Sequence, residues 1–515
     1  MMPRAMFFVL MVLALASGPG WAMSDMEFDR MMDRIESLQA EGNFAEADEA
    51  ARTALADHGG DMSSEQRRAL QFELERTKRT RKDYSLSADK LFGYLERSIK
   101  DVTREEFEQW IEEGRFDSLT IDGETFYVGP SRANLFFRYP DIRARAVKPW
   151  NDEWERFLQE EIDAITSLPR TPAQITLEPL DFRGTFTITV NPDVVPEGDT
   201  IRVWMPYPQQ FEAQDNVRLI SSSPEVAFMS HPTHPMRSLY FEAPSQGADP
   251  TEFQATFEFT TYRRYTGIDP SIVVPSSPAT MPEFTYFTSE QPPHVIFTDR
   301  VETLVAEIIG DETNPAVKAR LIYDWVCDNL VYSYAREYST LRCISDYVLE
   351  NEYGDCGQIA LTYITLCRAA GIPARWQSGW IIYPMKNNLH DWTEIYLEPY
   401  GWVPVDPNYG MDIANYFAEL GFGAEEIQKM RDFYFGGLDP FRFIANRDHG
   451  YPLYPVKDSF RSDTVDFQRG ELEANGQNIY YGDFRYDLDI EHVWRGDDGA
   501  KDVEGARPAA PGAPR

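Results

Sequence analysis

The sequence predicts a multidomain α+β protein with a helical N-terminal region, a β-sandwich, and a mixed α+β core followed by further strands. Its 515 residues are too many for one hydrophobic core, and 43% of them are hydrophobic, so several domains have enough apolar material to fold. The hydrophobic period is helical up to about residue 170, and it changes to two from about residue 174. Helical and strand patterns then alternate through the core.

Residues 1–22 have the pattern of a secretory signal peptide. Arg4 supplies the positive charge, and the apolar run 6–16 is too short to span a bilayer. Gly20 and Ala22 place small residues at positions −3 and −1, so we predict cleavage after Ala22. No cysteine follows the apolar run, and we therefore expect a periplasmic or extracellular protein without a membrane anchor.

Residues 23–170 are predicted to be an α-rich region. A helical pattern runs from Asp25 to about Arg81 and is interrupted at 42–44, which indicates a helical hairpin. The sequence 103–106 has the form of a capping box for a further helix. Asp122-Gly123 lies between two short strand patterns and predicts a hairpin with a type I′ turn.

Residues 174–265 are predicted to form a β-sandwich, because Phe186, Ile188 and Val190 alternate with threonines and similar short strands follow. Six prolines mark residues 266–295 as an extended linker. The mixed α+β core covers 296–440, and strand patterns at 441–495 form a C-terminal β extension. Residues 496–515 are rich in Gly, Ala, Pro and Asp and are predicted to be disordered.

The charge and cysteine content exclude several classes of protein. A net charge of −35 argues against nucleic acid as a partner, because phosphate binding needs a basic face. Four cysteines are too few for a disulfide scaffold. Cys327 and Cys343 could pair or remain two free thiols, and Cys367 is read as a core thiol. The chain has no Cys-x-x-Cys pair and no Asp-x-Asp-x-Asp-Gly loop, so we expect no required metal and no cofactor.

Cys356 is the candidate nucleophile. Residues 357–370 have a helical pattern that stops at Gly371-Ile372-Pro373, which places Cys356 at the N-terminus of a helix. The unpaired N–H groups and the helix dipole there favour an anion, so we expect a lowered thiol pKa. The same N–H groups could stabilise the oxyanion of a tetrahedral intermediate.

His390 and Asp406 are the candidate partners of this thiol. Residues 390–397 and 402–405 have strand patterns and are joined by a tight connection, so they should pair antiparallel. His390 and Asp406 would then lie at the same end of the hairpin, although the sequence leaves the exact register open. His390 would activate Cys356 and protonate the leaving amine, and Asp406 would orient the imidazole.

These motifs resemble the transglutaminase-like superfamily, whose papain-like core uses Cys, His and Asp in this order. The resemblance covers roughly residues 300–410 and the chain looks like a bacterial secreted member. It rests on six segments: Asp324-Trp325-Val326, Val331-Tyr332, Gly354-Asp355-Cys356, 371–375 (Gly-Ile-Pro-Ala-Arg), His390-Asp391-Trp392 and 401–407 (Gly-Trp-Val-Pro-Val-Asp-Pro). Members of the superfamily cross-link proteins through glutamine, deamidate it, hydrolyse peptide or glycan–amide bonds, or have lost catalysis.

The resemblance implies an exported thiol enzyme that acts on amide bonds of proteins or peptides through a Cys356 acyl-enzyme. Acyl transfer and hydrolysis both remain open, as do the acyl donor, the acceptor and the oligomeric state. The alternative is a catalytically idle member that serves as a binding or scaffold protein of the cell envelope. An intact set of Cys356, His390 and Asp406 favours the enzyme.

Overall fold

The computed structural model describes residues 23–148, 150–169, 176–334 and 336–493. The predicted signal peptide (1–22) and the predicted tail (496–515) lie outside the described residues. Contacts divide the chain into two compact units. Among the described residues, one unit contains 23–82 together with Leu119–Phe126, and the other contains Asp83–Ser118 and the residues from Tyr127 to Val493. The region 23–170, predicted as one α-rich region, is thus divided between two units.

The first unit is built on three helices, α1 (Asp25–Ala40), α2 (Phe44–His58) and α3 (Ser64–Asp83). Helix α1 begins at a capping box, in which the Ser24 side chain accepts a hydrogen bond from the N–H of Glu27. Small and aliphatic side chains at helical spacing form the core of this unit: Ile35, Ala47, Ala51, Ala54, Met62 and Leu70.

The predicted hairpin around Asp122-Gly123 is confirmed. Strands β1 (Ser118–Ile121) and β2 (Glu124–Tyr127) pair with each other in a two-stranded sheet. Asp122 and Gly123 have φ values of 51° and 88°. Positive φ at both central residues is the conformation that a type I′ turn requires.

Five helices begin the second unit: α4 (Ala88–Glu96), α5 (Arg104–Glu112), α6 (Ser131–Arg138), α7 (Pro140–Arg143) and α8 (Glu153–Ser167). Half of the predicted capping box of α5 is present, because the Thr103 hydroxyl accepts a hydrogen bond of 3.2 Å from the N–H of Glu106, whereas the Glu106 side chain pairs with Arg145. Helix α8 buries Leu158, Ile162 and Ile165, whose spacing presents one apolar face to the core of the sandwich.

Six strands follow: β3 (Thr176–Val190), β4 (Thr200–Pro206), β5 (Gln214–Ser223), β6 (Phe228–Met229), β7 (Ser238–Pro244) and β8 (Thr251–Tyr265). Their alternating burial places Phe186, Ile188 and Phe257 in one core with Val203 and Phe241. Residues 266–295, predicted as a linker, include the one-turn helix α9 (Phe284–Phe287).

The mixed core begins with α10 (Asp299–Ile309), α11 (Pro315–Asn329), β9 (Val331–Tyr332), α12 (Ile344–Asn351), β10 (Tyr353–Gly354) and α13 (Cys356–Ala369). It continues with β11 (Ala374–Tyr383), β12 (Lys386–Leu397), β13 (Gly401–Val405), α14 (Pro407–Tyr416), α15 (Ala424–Phe433), β14 (Gly437–Leu438) and β15 (Arg442–Asn446). An antiparallel sheet of order β13-β12-β11-β15 packs against α13, whose Ile359 and Tyr363 share a core with Trp376 and Ile395.

The last strands are β16 (Glu471–Ala474), β17 (Gln477–Ile479) and β18 (Phe484–Val493). They complete the two sheets of the sandwich, whose orders are β14-β8-β3-β18, with β5 also on β8, and β17-β16-β4-β7-β6. The predicted β-sandwich (174–265) and the predicted β extension (441–495) therefore contribute strands to the same two sheets. Between residues 23 and 493, no described helix is both long enough and apolar enough to cross a membrane.

Candidate active site

Cys356 is the first residue of α13, as the sequence predicts. Asp355 caps this helix, and its Oδ1 accepts hydrogen bonds from the N–H of Gln358 at 3.0 Å and from the Tyr338 hydroxyl at 2.8 Å. A Cβ at Gly357 would lie 2.1 Å from Tyr338 Oη and 2.8 Å from Asp391 Oδ2. Only glycine fits at this position without displacing its neighbours, so the first turn of α13 is tightly enclosed.

The thiol forms a hydrogen bond with Asp391, to which the sequence analysis assigned no role. Cys356 Sγ lies 3.3 Å from Asp391 Oδ2, and the thiol donates in this contact. The other carboxyl oxygen, Oδ1, accepts a hydrogen bond of 2.6 Å from Gln468 Nε2. Gln468 Nε2 also donates to the backbone carbonyl of His390 at 2.9 Å. The carboxyl group that contacts the thiol is therefore fixed on both sides.

His390 and Asp406 are brought together, as predicted. Strands β12 and β13 pair antiparallel with Leu397 opposite Gly401, which confirms the predicted hairpin. His390 Nε2 lies 2.8 Å from Asp406 Oδ2, and both side chains are buried. The imidazole stacks on the Tyr409 ring at a centroid distance of 4.5 Å. Among the described residues, Nδ1 of His390 has no hydrogen-bond partner.

Asp406 has two further partners. Arg442 Nη1 donates to its Oδ2 at 2.9 Å, and the N–H of Tyr409 donates to its Oδ1 at 3.0 Å, so Asp406 also caps α14. Burial raises the pKa of Asp406, but His390 and Arg442 outweigh burial and lower it overall. Burial lowers the pKa of His390 in spite of Asp406. At neutral pH the pair therefore consists of an ionised carboxylate and a neutral imidazole.

Cys356 and His390 were expected to contact each other, but the structure of the described residues shows no hydrogen bond between them. His390 and Asp391 are consecutive residues of β12, and consecutive side chains of a strand point to opposite faces. Ile395, on the Asp391 side, packs in the core around α13, whereas Trp392, on the His390 side, packs with Ile444. The Cys356 thiol therefore contacts Asp391 on one face of β12, and His390 on the other face contacts Asp406, which directly follows β13.

The thiol pKa differs from the expectation of a lowered value. Burial raises the pKa of Cys356 well above its ordinary value, and the carboxylates of Asp391 and Asp355 raise it further. Burial also raises the pKa of Asp355 to about 6 and that of Asp391 well above its ordinary value. The helix N-terminus cannot lower the thiol pKa on its own, because a capping carboxyl group and a second carboxyl group lie beside the same sulfur.

Aromatic side chains lie near Cys356, and one that packs against them, Phe137, comes from outside the mixed core. Strand β9 pairs in parallel with β10, which places Tyr332 beside Gly354, two residues before the thiol. Phe137 of α6 contacts the rings of Tyr332 and Tyr334 at centroid distances of 4.7 and 5.5 Å. Tyr334 remains 37% exposed. The helical region before the sandwich therefore contributes to the surroundings of the site.

Cys327 and Cys343, whose pairing the sequence left open, are free thiols, and so are Cys356 and Cys367. Cys327 and Cys367 are buried, in agreement with core thiols. Within the described ranges, no group of three or more His, Cys, Asp or Glu side chains is arranged to hold a metal ion.

Comparisons with known proteins place this site in a family. Uncharacterised protein YebA of Bacillus subtilis (strain 168) is 29% identical over 131 residues, which cover 22% of this chain and 18% of that protein. An uncharacterised protein of Haemophilus influenzae is 26% identical over 228 residues, covering 38% of this chain and 59% of that protein. The chain thus spans less than two thirds of either relative.

A solved structure, of a proposed cysteine protease from Cytophaga hutchinsonii, is similar at 15% identity and a TM-score of 0.41, covering 63% of this chain and 94% of that chain. Residues 302–407 match the family model of the transglutaminase-like superfamily. This match confirms the resemblance that the motifs indicate and includes Cys356, His390 and Asp406. Residues 302–407 of this chain are a transglutaminase-like domain.

Proposed function

We propose that the chain is an exported thiol enzyme that acts on amide bonds of proteins or peptides through a Cys356 acyl-enzyme. The observation that carries this proposal is the contact of 2.8 Å between His390 Nε2 and Asp406 Oδ2. The Cys356 thiol lies close to this pair, because it contacts Asp391, the residue that follows His390 in β12. The family match supports the same chemistry. A nucleophile at a helix N-terminus and an oriented imidazole are the groups that acyl transfer needs.

In the proposed reaction, the Cys356 side chain leaves Asp391 and turns to the imidazole of His390, which lies on the other face of β12. The sulfur then loses its proton to Nδ1 of His390 and attacks the amide carbonyl carbon. The C–N bond breaks, and the leaving amine takes the proton from the imidazolium, so a thioester remains on Cys356. Water or an amine then attacks the thioester and regenerates the thiol. Asp406 keeps Nε2 of His390 protonated and stabilises the transient imidazolium. The N–H groups of Cys356 and Gly357 at the start of α13 would face the developing oxyanion.

Export belongs to this proposal. It is supported by the pattern of residues 1–22, with Arg4, the apolar run 6–16 and small residues at 20 and 22. Expression of the full chain in a Gram-negative host, followed by fractionation and N-terminal sequencing, tests it. The expected result is a periplasmic or secreted chain that begins at Met23. An intact Met1 form in the cytosol would contradict export.

The catalytic proposal is tested by incubating the purified protein with a panel of glutamine-containing and other peptides, with and without an added primary amine. Mass spectrometry would detect deamidation, cleavage or amine incorporation. We expect one of these products with the wild type, and with the matched Cys367→Ala variant, but none with Cys356→Ala. Equal product from Cys356→Ala would refute the mechanism.

A catalytically idle binding protein is the second candidate, and one observation favours it. The Cys356 thiol contacts Asp391, and burial together with two carboxylates raises its pKa. If the wild type and Cys356→Ala captured the same envelope protein equally well, and neither turned over any amide, the binding function would be supported instead.

A further inference from the structure

The Cys356 thiol has a neighbour that the proposed mechanism does not use. Asp391 Oδ2 accepts its hydrogen bond at 3.3 Å, in a place where the mechanism calls for a base that can remove the proton. The Asp391 side chain is buried, with a fractional exposure of 1%. Its second oxygen is fixed by Gln468 at 2.6 Å, and the Gln468 carbonyl in turn accepts from Trp380 Nε1 at 3.1 Å. A carboxyl group held this firmly against the Cys356 sulfur influences whether that sulfur keeps its proton.

We propose that Asp391 is a positioning residue that keeps the Cys356 thiol protonated and latent until a substrate displaces this contact. The inference rests on the proposed role of Cys356 as the nucleophile. It assigns Asp391 an effect opposite to that of the helix N-terminus, which favours a thiolate.

The geometry of α13 explains why its N-terminus does not stabilise a thiolate at Cys356. Asp355 occupies the capping position and takes the N–H of Gln358, so a carboxyl group already faces the positive end of the helix dipole. A thiolate at Cys356 would be a further negative charge beside the carboxyl groups of Asp355 and Asp391. Asp391 is buried, and Asp355 and Cys356 are half-buried, so the repulsion between like charges is screened less than it would be on an open surface.

Charged and titratable groups reach this pair from each element packed against it. Asp355 caps the N-terminus of α13, and His390 lies on the other face of β12. Strand β9 contributes Tyr332, and the segment after it contributes Tyr334, Glu337 and Tyr338. The segment between β15 and β16 contributes Asp463, Asp466 and Arg469. Arg469 is a cation that lowers the pKa of both Asp391 and Asp355, but its Nη1 is paired with Glu337 at 2.9 Å. The surroundings therefore disfavour a second negative charge at the thiol.

The order in which the pair loses protons follows from its chemistry. A carboxyl group is a far stronger acid than a thiol, so Asp391 loses its proton first as the pH rises. The resulting carboxylate, in direct contact with Sγ, then opposes ionisation of Cys356. Removing the carboxyl group should release the thiol, whereas a merely structural Asp391 would leave the thiol titration where it is.

The experiment is the rate of iodoacetamide alkylation of Cys356 between pH 6 and 10, measured by site-resolved mass spectrometry on the full chain. Wild type is compared with Asp391→Asn, Asp391→Ala and the matched control Asp249→Asn, an exposed aspartate. For wild type we expect a midpoint above that of an ordinary thiol. Both Asp391 variants should lower the midpoint by at least one pH unit and raise the rate at pH 7.5 about tenfold, and the control should change neither.

Buried Cys327 and Cys367 report on folding, because they react only when the chain opens. A variant in which Cys327 and Cys367 react at pH 7.5 is unfolded. In that case the midpoint of the wild-type alkylation profile alone tests the proposal. A wild-type midpoint below that of a free cysteine would overturn the proposal, as would folded Asp391 variants with the wild-type midpoint. Alkylation reports the state of the thiol without any amide turnover, so failure of this inference and failure of the proposed function are distinguishable.

Discussion

At the scale of single residues, Asp406 makes the contacts that prepare His390 for proton transfer. It accepts from His390 at 2.8 Å and from Arg442 at 2.9 Å, and these two partners keep its pKa low. Arg442 also donates to Asp439 at 2.7 Å, so the guanidinium stays compensated if Asp406 loses its charge. The role of Asp406 in orienting His390 can therefore be separated from its role in the fold.

We predict that Asp406→Asn lowers kcat by about 10² to 10⁴, because the asparagine can no longer select the imidazole tautomer or stabilise the imidazolium. Some activity should remain, since nucleophile and base are still present, whereas Cys356→Ala should have none. Steady-state kinetics on a confirmed amide substrate, with Tm as the control for folding, would measure this. An Asp406→Asn variant with wild-type kcat would show that His390 needs no carboxylate.

The His390–Asp406 contact could be predicted from the sequence, but the neighbour of the thiol could not. Two strand patterns and a short connection fix which ends of a hairpin meet, and the structure confirms that contact. The partner of Cys356 depends on which face of β12 turns toward α13, and a shift of one residue reverses that choice. Gln468 lies 78 residues after His390, and no local pattern connects the two.

At the scale of elements, the start of α13 depends on the absence of a side chain at Gly357. We predict that Gly357→Ala destabilises the protein by about 1–3 kcal/mol, because its Cβ would lie 2.1 Å from Tyr338 Oη. Helical Gly93 is the matched control, since its Cβ would meet only the Arg97 side chain at 3.9 Å. Gly93→Ala should be neutral or stabilising.

Urea unfolding would measure both alanine variants, and the double variant Gly357→Ala with Tyr338→Phe would test the cause. Removal of the hydroxyl relieves the closest clash, so the double variant should be more stable than the sum of the two single changes predicts. Strict additivity would mean that the Tyr338 hydroxyl is not the obstacle.

A buried ion cluster joins β12 of the mixed core to β8 of the sandwich. Glu394 accepts from Arg264 at 2.9 Å and from Arg375 at 2.8 Å. Burial alone would raise the pKa of Glu394, but Arg375 and Arg264 outweigh it and lower the pKa to about 2. Since this pKa is lower in the folded state than in the unfolded chain, the cluster stabilises the fold above about pH 4.5. That stabilisation disappears as the pH falls toward 2.

We predict that Glu394→Gln lowers the free energy of unfolding at pH 7 by about 3–5 kcal/mol, because it leaves two buried arginines without their shared carboxylate. The difference in stability between wild type and variant should shrink by about 3 kcal/mol between pH 5 and pH 2. Differential scanning fluorimetry across this range would follow the change in Tm. A difference that stays constant with pH would contradict the assigned charge of Glu394.

Local elements were more predictable than their long-range partners. The Thr103 cap, the turn at Asp122-Gly123 and the hairpin of β12 and β13 follow from short patterns, and each is confirmed. The pairing of β16 with β4 and of β18 with β3 joins residues about 270 to 310 positions apart. Alternating hydrophobic patterns predict that such segments are strands, but they do not predict which sheet the strands join.

At the scale of the second unit, the C-terminal strand connects the sandwich to the sheet of the site. Strand β18 pairs with β3 from Phe484–Val190 to Val493–Asp181, and Phe484 and Leu488 are buried beneath it. The Leu488 carbonyl also accepts from Asn387 Nδ2 at 2.6 Å, at the start of the strand that carries His390 and Asp391. Loss of β18 should therefore affect both the sandwich and the site.

We predict that truncation after Gly482, which removes β18, destabilises the protein by at least about 3 kcal/mol, because burial of Phe484 and Leu488 is worth about 1.5–3 kcal/mol each. It would also expose the edge of β3 along its length, and an unpaired edge promotes aggregation. Truncation after Val493 is the matched control, since it keeps the whole of β18, and it should retain the wild-type Tm. Scanning calorimetry with light scattering compares the two. A truncation after Gly482 with unchanged Tm and no aggregation would mean that β18 adds nothing to the stability of the sandwich, in spite of its pairing with β3.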